Sequence, residues 1–156
     1  MAGSGCAAQG YDVITGGYGG AMEAASKGAV QAGGRVIGVT APDLFTTRSG
    51  ANSHVTREIQ AKTLTERIGI LTDLANGAIV LPGSIGTIAE LVIAWNLNHI
   101  ARRNGGLRLP TVAVGEEWDE LWNLLTGRLG AHGDDIHVVH SVADAVSWLS
   151  AQPEIR

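Results

Sequence analysis

The residues most able to do chemistry lie in Pro82-Gly83-Ser84-Ile85-Gly86-Thr87-Ile88-Ala89-Glu90, directly after the apolar run Ala78-Ile79-Val80-Leu81. Gly83 and Gly86 permit close backbone approach, Ser84 and Thr87 add hydroxyl donors, and Glu90 brings a carboxylate one turn into the following helix. A second glycine turn, Thr15-Gly16-Gly17-Tyr18-Gly19-Gly20, follows Asp12-Val13-Ile14. A strand–glycine turn–helix unit leaves amide N–H groups free at the positive end of a helix, a place that attracts anions and phosphate above all. Two such units point to a nucleotide or sugar-phosphate site. Arg67, on a helix from about Lys62 to Ala75, is the candidate cation.

Each motif also has a plainer explanation. Thr87-x-x-Glu90 reads as a capping box, in which the glutamate bonds the amide of the cap, although capping leaves the preceding proline and glycines unexplained. The first turn could be a tight strand–helix connection without a ligand. It is not a dinucleotide fingerprint: Met22 occupies the third glycine position counted from Gly17, and Thr40-Ala41-Pro42 stands where an acidic ribose-binding residue would follow the next strand. Arg67 falls between Leu64 and Leu71 at the edge of an apolar stripe of Leu64, Ile68, Leu71 and Ala75, from which an arginine can reach solvent. His137-x-x-His140 in a strand sends its rings to opposite faces, so no metal site is expected. Trp118 and Trp122, one helical turn apart, are expected to pack on the core or on a partner subunit. Asp134-Asp135 and Glu116-Glu117 read as solvated loop charges.

The elements that must position these residues alternate. Strands are expected at Tyr11–Thr15, Arg35–Thr40, Ala78–Leu81, Thr111–Val114 and His137–His140. Helices are expected at about 20–32, 62–75, 87–103, 118–129 and 142–151. Pro42 to about Ile59 is polar and irregular, long enough to be a lid or binding loop. The alternation predicts an α/β fold, a Rossmann-like doubly wound parallel sheet whose ligand sits beyond the carboxyl ends of the strands. Both glycine turns belong at such ends, which would bring Arg67 and Glu90 to one amide-lined pocket. Cys6-Ala7-Ala8-Gln9-Gly10 reads as the tail of a helix, so the first strand and helix of such a sheet are expected to be missing or shortened. With 156 residues, a single domain spanning 1–156 is expected. A net charge of −4 gives no basic footprint for nucleic acid. One cysteine excludes an internal disulfide framework and fits a cytoplasmic protein, and no membrane span is read.

The stretch Gly16-Gly17-Tyr18-Gly19-Gly20-Ala21-Met22, then Glu66-Arg67, then Pro82 to Glu90, resembles the LOG ("Lonely Guy") family of cytokinin riboside 5′-monophosphate phosphoribohydrolases, many once labelled lysine decarboxylases. The resemblance runs from about Tyr11 to Ala94. It implies hydrolysis of the N-glycosidic bond of an AMP-like nucleoside monophosphate, with Arg67 and Glu90 as the catalytic pair. It assigns nucleotide and phosphate binding to Gly16, Gly17, Gly19, Gly20, Met22, Pro82, Gly83, Ser84, Gly86 and Thr87. It implies no metal or cofactor, and a homodimer to which the apolar helix Thr87–Ile100, with Trp95, offers a surface. Ser84 stands where the family has the second glycine of its PGG motif, and Ile68 where it has a lysine after the arginine. Those departures favour the alternative of a non-catalytic carrier that holds a nucleotide or a phosphorylated pterin such as molybdenum cofactor. The decarboxylase label would need a Schiff-base lysine, yet Lys27 and Lys62 are the only lysines and neither lies in a glycine turn.

Overall fold

A computed structural model describes residues 1–48, 50–131 and 133–153. The chain divides into two compact units, Met1–Ala75 and Asn76–Arg156, each with a parallel three-stranded sheet.

In the first unit, β1 (Val13–Thr15), β2 (Val36–Thr40) and β3 (Arg57–Gln60) lie in the order β1-β2-β3, with Val13 beside Val36 and Ile37 beside Arg57. Three helices complete it: α1 (Ala2–Ala8), α2 (Ala21–Gln31) and α3 (Leu64–Leu74). The central strand carries the buried set Val36, Val39 and Thr40, the continuous burial typical of parallel sheets. α1 lies directly on α2, because Gly3 and Gly28 have no side chains there. A methyl on Gly3 would collide with the Ala25 carbonyl, and one on Gly28 would come within 3.2 Å of the Ser4 amide. The expected helix tail at 6–10 is thus the end of α1.

Two expectations change in this unit. The irregular stretch 42–59 runs into β3, whose Arg57, Glu58 and Gln60 are exposed. Backbone pairing with β2 makes this strand, supported by the Thr40 hydroxyl donating to Glu58 Oε1 at 2.6 Å. No apolar alternation marks it. The first strand begins at Val13, not Tyr11: Tyr11 is exposed, and Asp12 accepts a fork from Arg35 at 3.0 and 2.6 Å.

In the second unit, β4 (Ala78–Val80), β5 (Thr111–Val114) and β6 (His137–Val139) lie in the order β4-β5-β6, with α4 (Ile85–Asn104), α5 (Glu117–Leu129) and α6 (Val142–Ser150). β5 is covered on both faces. Ala113 joins Leu91, Trp95, Trp118 and Ile136 in one core cluster, while Val112 and Val114 join Ala145 of α6 in another. Trp118 and Trp122 pack inward as expected: Trp122 stacks on Trp95 at 4.4 Å, and the Trp118 indole donates to the Val114 carbonyl at 3.1 Å. Asp135 departs from its expected place in solvent. It closes a short 3-10 turn, Gly133–Asp135, and is buried, its carboxylate 3.1 Å from Arg102 Nε at the end of α4. Its backbone carbonyl accepts from buried Asn98 at 3.0 Å. The turn tucks this acid under α4, so only Asp134 remains exposed. Among the described residues, no helix is long and apolar enough to cross a membrane.

Replacing Trp118 by Ala is expected to cost about 3–5 kcal/mol, read by urea denaturation. Leu129→Ala, at a residue 72% exposed, should stay within about 0.5 kcal/mol.

Candidate functional site

The first glycine turn is built around a buried cation. Arg67 is only 6% exposed, whereas Leu64, expected inside, is 46% exposed. α3 is therefore rotated so that the arginine faces inward. Its Nε donates to the Val39 carbonyl at 2.8 Å and its Nη2 to the Gly16 carbonyl at 3.0 Å. These bonds tie α3 to β2 and to the turn after β1. A methyl on Gly16 would overlap Arg67 Nη2 and come within 2.7 Å of Met22 Sδ. Gly16, Met22 and Arg67 thus meet in the first unit.

The remainder of this turn is held from the loop before β3. Asn52 donates its backbone amide to the Gly17 carbonyl at 2.7 Å, and its side-chain amide to the Gly17 and Tyr18 carbonyls at 3.1 and 3.0 Å. Gly17 and Gly20 have φ of 77° and 71°, which L side chains adopt only with strain. With its carbonyls bound to Asn52 and Arg67, the turn leads into the amides at the start of α2, capped at Gly20. Tyr18 is buried and accepts the Ala41 amide at 2.8 Å. Its ring meets Phe45 edge-on at 5.4 Å. The Arg48 guanidinium lies over both rings, at 4.6 and 4.7 Å. A cavity of about 320 Å³ opens here, lined by Tyr18, Gly19, Glu23, Thr47, Arg48 and Asn52 among others.

Sequence reasoning missed Arg48, Asn52 and Glu23. The only signal was the length and polarity of the loop holding Thr46-Thr47-Arg48-Ser49-Gly50, of which Ser49 lies outside the described residues. Nothing in the sequence marks Asn52 as the tie to the turn.

In the second unit, Pro82, Gly83 and Ser84 follow β4 and lead into α4. The helix starts at Ile85, two residues before the expected start, with Ser84 as its cap and no side-chain capping bond. The Thr87 and Ile88 amides donate to the Ser84 carbonyl at 2.9 and 3.1 Å. Thr87 therefore already lies inside the helix and is not the cap that the plainer reading of Thr87-x-x-Glu90 needs. Side-chain caps occur elsewhere: Thr63 Oγ1 accepts from the Glu66 amide at 3.1 Å, and Ser141 Oγ from the Asp144 amide at 3.1 Å. Glu90 is half-buried in the second turn of α4. The Thr87 hydroxyl occupies the space a Cβ would take on Gly83, while the space beside Gly86 is open. The first turn of α4 contains no acidic residue, whereas that of α2 contains Glu23.

Lys27 and Lys62 are both exposed and lie outside the two turns. Burial pushes the Cys6 thiol above its usual value, which disfavours the reactive thiolate. Among the described residues, no group of three or more His, Cys, Asp or Glu is placed to hold a metal ion.

A family model described as "Possible lysine decarboxylase" matches residues 22–150. Two relatives named cytokinin riboside 5′-monophosphate phosphoribohydrolase are similar to this chain. The one from Mycobacterium marinum is 31% identical over 117 residues, covering 74% of this chain and 59% of its own length. The one from Mycobacterium tuberculosis is 35% identical over 99 residues, covering 63% of this chain and 52% of its own length. The chain therefore spans between half and three-fifths of these curated relatives. Among solved structures, the molybdenum cofactor carrier protein of Chlamydomonas reinhardtii matches with a TM-score of 0.71 and 27% identity, over 97% of this chain and 84% of that one.

Arg67→Met should lower stability by about 2–4 kcal/mol, because the Gly16 and Val39 carbonyls lose buried donors. Arg67→Lys should recover little, since an ammonium cannot reproduce the fork. Urea unfolding of both variants provides the check.

Proposed function

Given that this chain belongs to the LOG family, we propose that it hydrolyses the N-glycosidic bond of a purine-type nucleoside 5′-monophosphate, releasing free base and ribose 5-phosphate. The observation that carries this reading is the glycine turn after β4, which leads into a helix with no acid in its first turn and with Glu90 half-buried in its second. Water attacks the anomeric carbon, and the bond to the base breaks with its electron pair leaving on the base. The departing base takes up one proton, and the attacking water gives up one and keeps the other as the new hydroxyl of the sugar. The sugar is oxocarbenium-like at the transition state, as in glycoside hydrolysis. Glu90 stabilises that charge or takes the water proton. The amides and hydroxyls of Gly83, Ser84, Gly86 and Thr87 hold the phosphate, with Pro82 setting the entry to the turn. By resemblance, Gly16, Gly17, Gly19, Gly20 and Met22 are proposed as further nucleotide-binding residues. Phosphate held away from the reacting bond supplies orientation.

By resemblance, Arg67 is proposed as the second catalytic residue, and within its own unit it shapes the first turn. The proposal treats 1–156 as one nucleotide-binding domain, in the cytoplasm, with no metal or cofactor in the reaction. The decarboxylase description finds no lysine in either turn. A second copy of the chain is proposed to cover the exposed apolar residues Val92, Ile93, Leu97 and Ile100 of α4. Sedimentation should then give twice the chain mass of 16.2 kDa, and a monomer at micromolar concentration would remove the dimer.

The second reading, a carrier that binds without turnover, is favoured by Ser84 and Ile68 at the departing positions and by the likeness to the molybdenum cofactor carrier protein. Incubation with AMP and isopentenyl-AMP, followed by chromatography for free base, separates the two. Release of base supports the hydrolase, and tight binding without release supports the carrier. Glu90→Gln should lower base release by roughly 100-fold or more with nucleotide binding largely kept. Undiminished release by this variant would refute the role of Glu90.

A further inference from the structure

We propose that a cavity at the amino ends of β5 and β6 is a second binding site, one that takes a zwitterionic amino acid with an aromatic side chain. The cavity measures about 450 Å³ and lies wholly within the second unit, lined by Arg108, Pro110, Asp134, His137 and Trp148 among others. That is the size of a small-ligand cleft. The strands of this sheet are parallel, so the glycine turn after β4 lies at the opposite edge, a strand length of about 10 Å away. Asn98 on the cavity wall stands about 12 Å beyond Glu90 along α4. A ligand here is therefore separate from a phosphate held at that turn.

The groups that the wall leaves unused select the ligand. Asn98 and Thr111 are spent on the fold. Asn98 exchanges bonds with the Leu109 backbone and donates to the Asp135 carbonyl, and the Thr111 hydroxyl donates to the Leu109 carbonyl. Arg102 takes Asp135 Oδ1 at 3.1 Å, which leaves Arg108 Nη1 4.0 Å from the same oxygen, beyond hydrogen-bond reach. Among the described residues no hydrogen bond engages Arg108. Its fork of donors fits a carboxylate. Two acceptors are left over. The Asp134 carboxylate is exposed and pairs with no described residue. Buried Asp135 Oδ2 has no hydrogen-bond partner, and His99 Nδ1 stands 3.8 Å from it. A carboxylate only accepts hydrogen bonds, so this side of the cavity suits an ammonium. His137 stacks on Trp148 with ring centroids 4.8 Å apart and planes 10° from parallel, and a planar side chain packs against such a pair. A simple anion would meet Asp134 and Asp135 as like charges, and a simple cation would meet Arg108. A ligand that carries both charges satisfies both sides.

The test is equilibrium dialysis of L-phenylalanine against the full chain. Phenylpropanoate and phenylethylamine serve as probes that lack the ammonium and the carboxylate respectively. L-phenylalanine should bind with a Kd below about 1 mM, and each one-charge probe about tenfold more weakly. Arg108→Gln should weaken L-phenylalanine and leave phenylethylamine unchanged. Asp134→Asn should weaken L-phenylalanine and leave phenylpropanoate unchanged. Both side chains are exposed, so the variants should fold, and unchanged thermal unfolding would establish this. Glu90→Gln should bind L-phenylalanine as the unaltered protein does. The proposal is overturned by no binding of L-phenylalanine at about 5 mM, by one-charge probes that bind equally well, or by binding that survives both cavity variants. Loss of binding in Glu90→Gln places the ligand at the glycine turn and overturns it as well. None of these outcomes bears on release of base from a nucleotide.

Discussion

The first unit depends on one buried guanidinium. Withdrawing a charge from water costs several kcal/mol unless its donors are satisfied. Two backbone carbonyls, one from β2 and one from the glycine turn, are among the acceptors that meet that requirement for Arg67. The demand runs in both directions. The arginine needs the Gly16 carbonyl, and Gly16 must lack a Cβ because Arg67 Nη2 occupies its place. A residue that looks in sequence like a surface cation thus acts as a structural clamp, and the glycine motif is partly its consequence. Asn52 completes the clamp from the far side of the turn.

The second unit obeys a different constraint, the need to cover both faces of β5. Alternation along Thr111–Val114 sends Ala113 to the tryptophan-rich cluster and Val112 and Val114 to α6. α4 is anchored there by Leu91 and Trp95, which sets the phase of the whole helix. Glu90 immediately precedes Leu91, so its half-buried position follows from that packing. At the other end of α4, Arg102 and Asn98 hold the buried Asp135. The helix that carries the candidate carboxylate is therefore fixed by Leu91 and Trp95 in its first half and by Asn98 and Arg102 toward its end.

Regular elements with a strong apolar period were readable. The strands near 36–40, 78–80 and 111–114 and the five helices after α1 lie within about two residues of their expected limits. β3 was not readable, because its residues are polar and its existence depends on a partner strand. The cap of α4 was misplaced because Thr87-x-x-Glu90 and Ser84 both satisfy local capping rules, and only the helix phase chooses between them. Asp135 was misjudged because burial of an acid depends on a distant arginine.

The sequence by itself determined the α/β class, the family and the two glycine turns, since these rest on residue type, local period and spacing along the chain. Tertiary structure alone decided that Arg67 faces inward, that Ser84 and not Thr87 caps α4, and that Arg48 and Glu23 share a cavity. Those outcomes depend on which carbonyls, rings and backbone atoms the fold brings beside each side chain, and pairings across tens of residues leave no periodic trace in the chain.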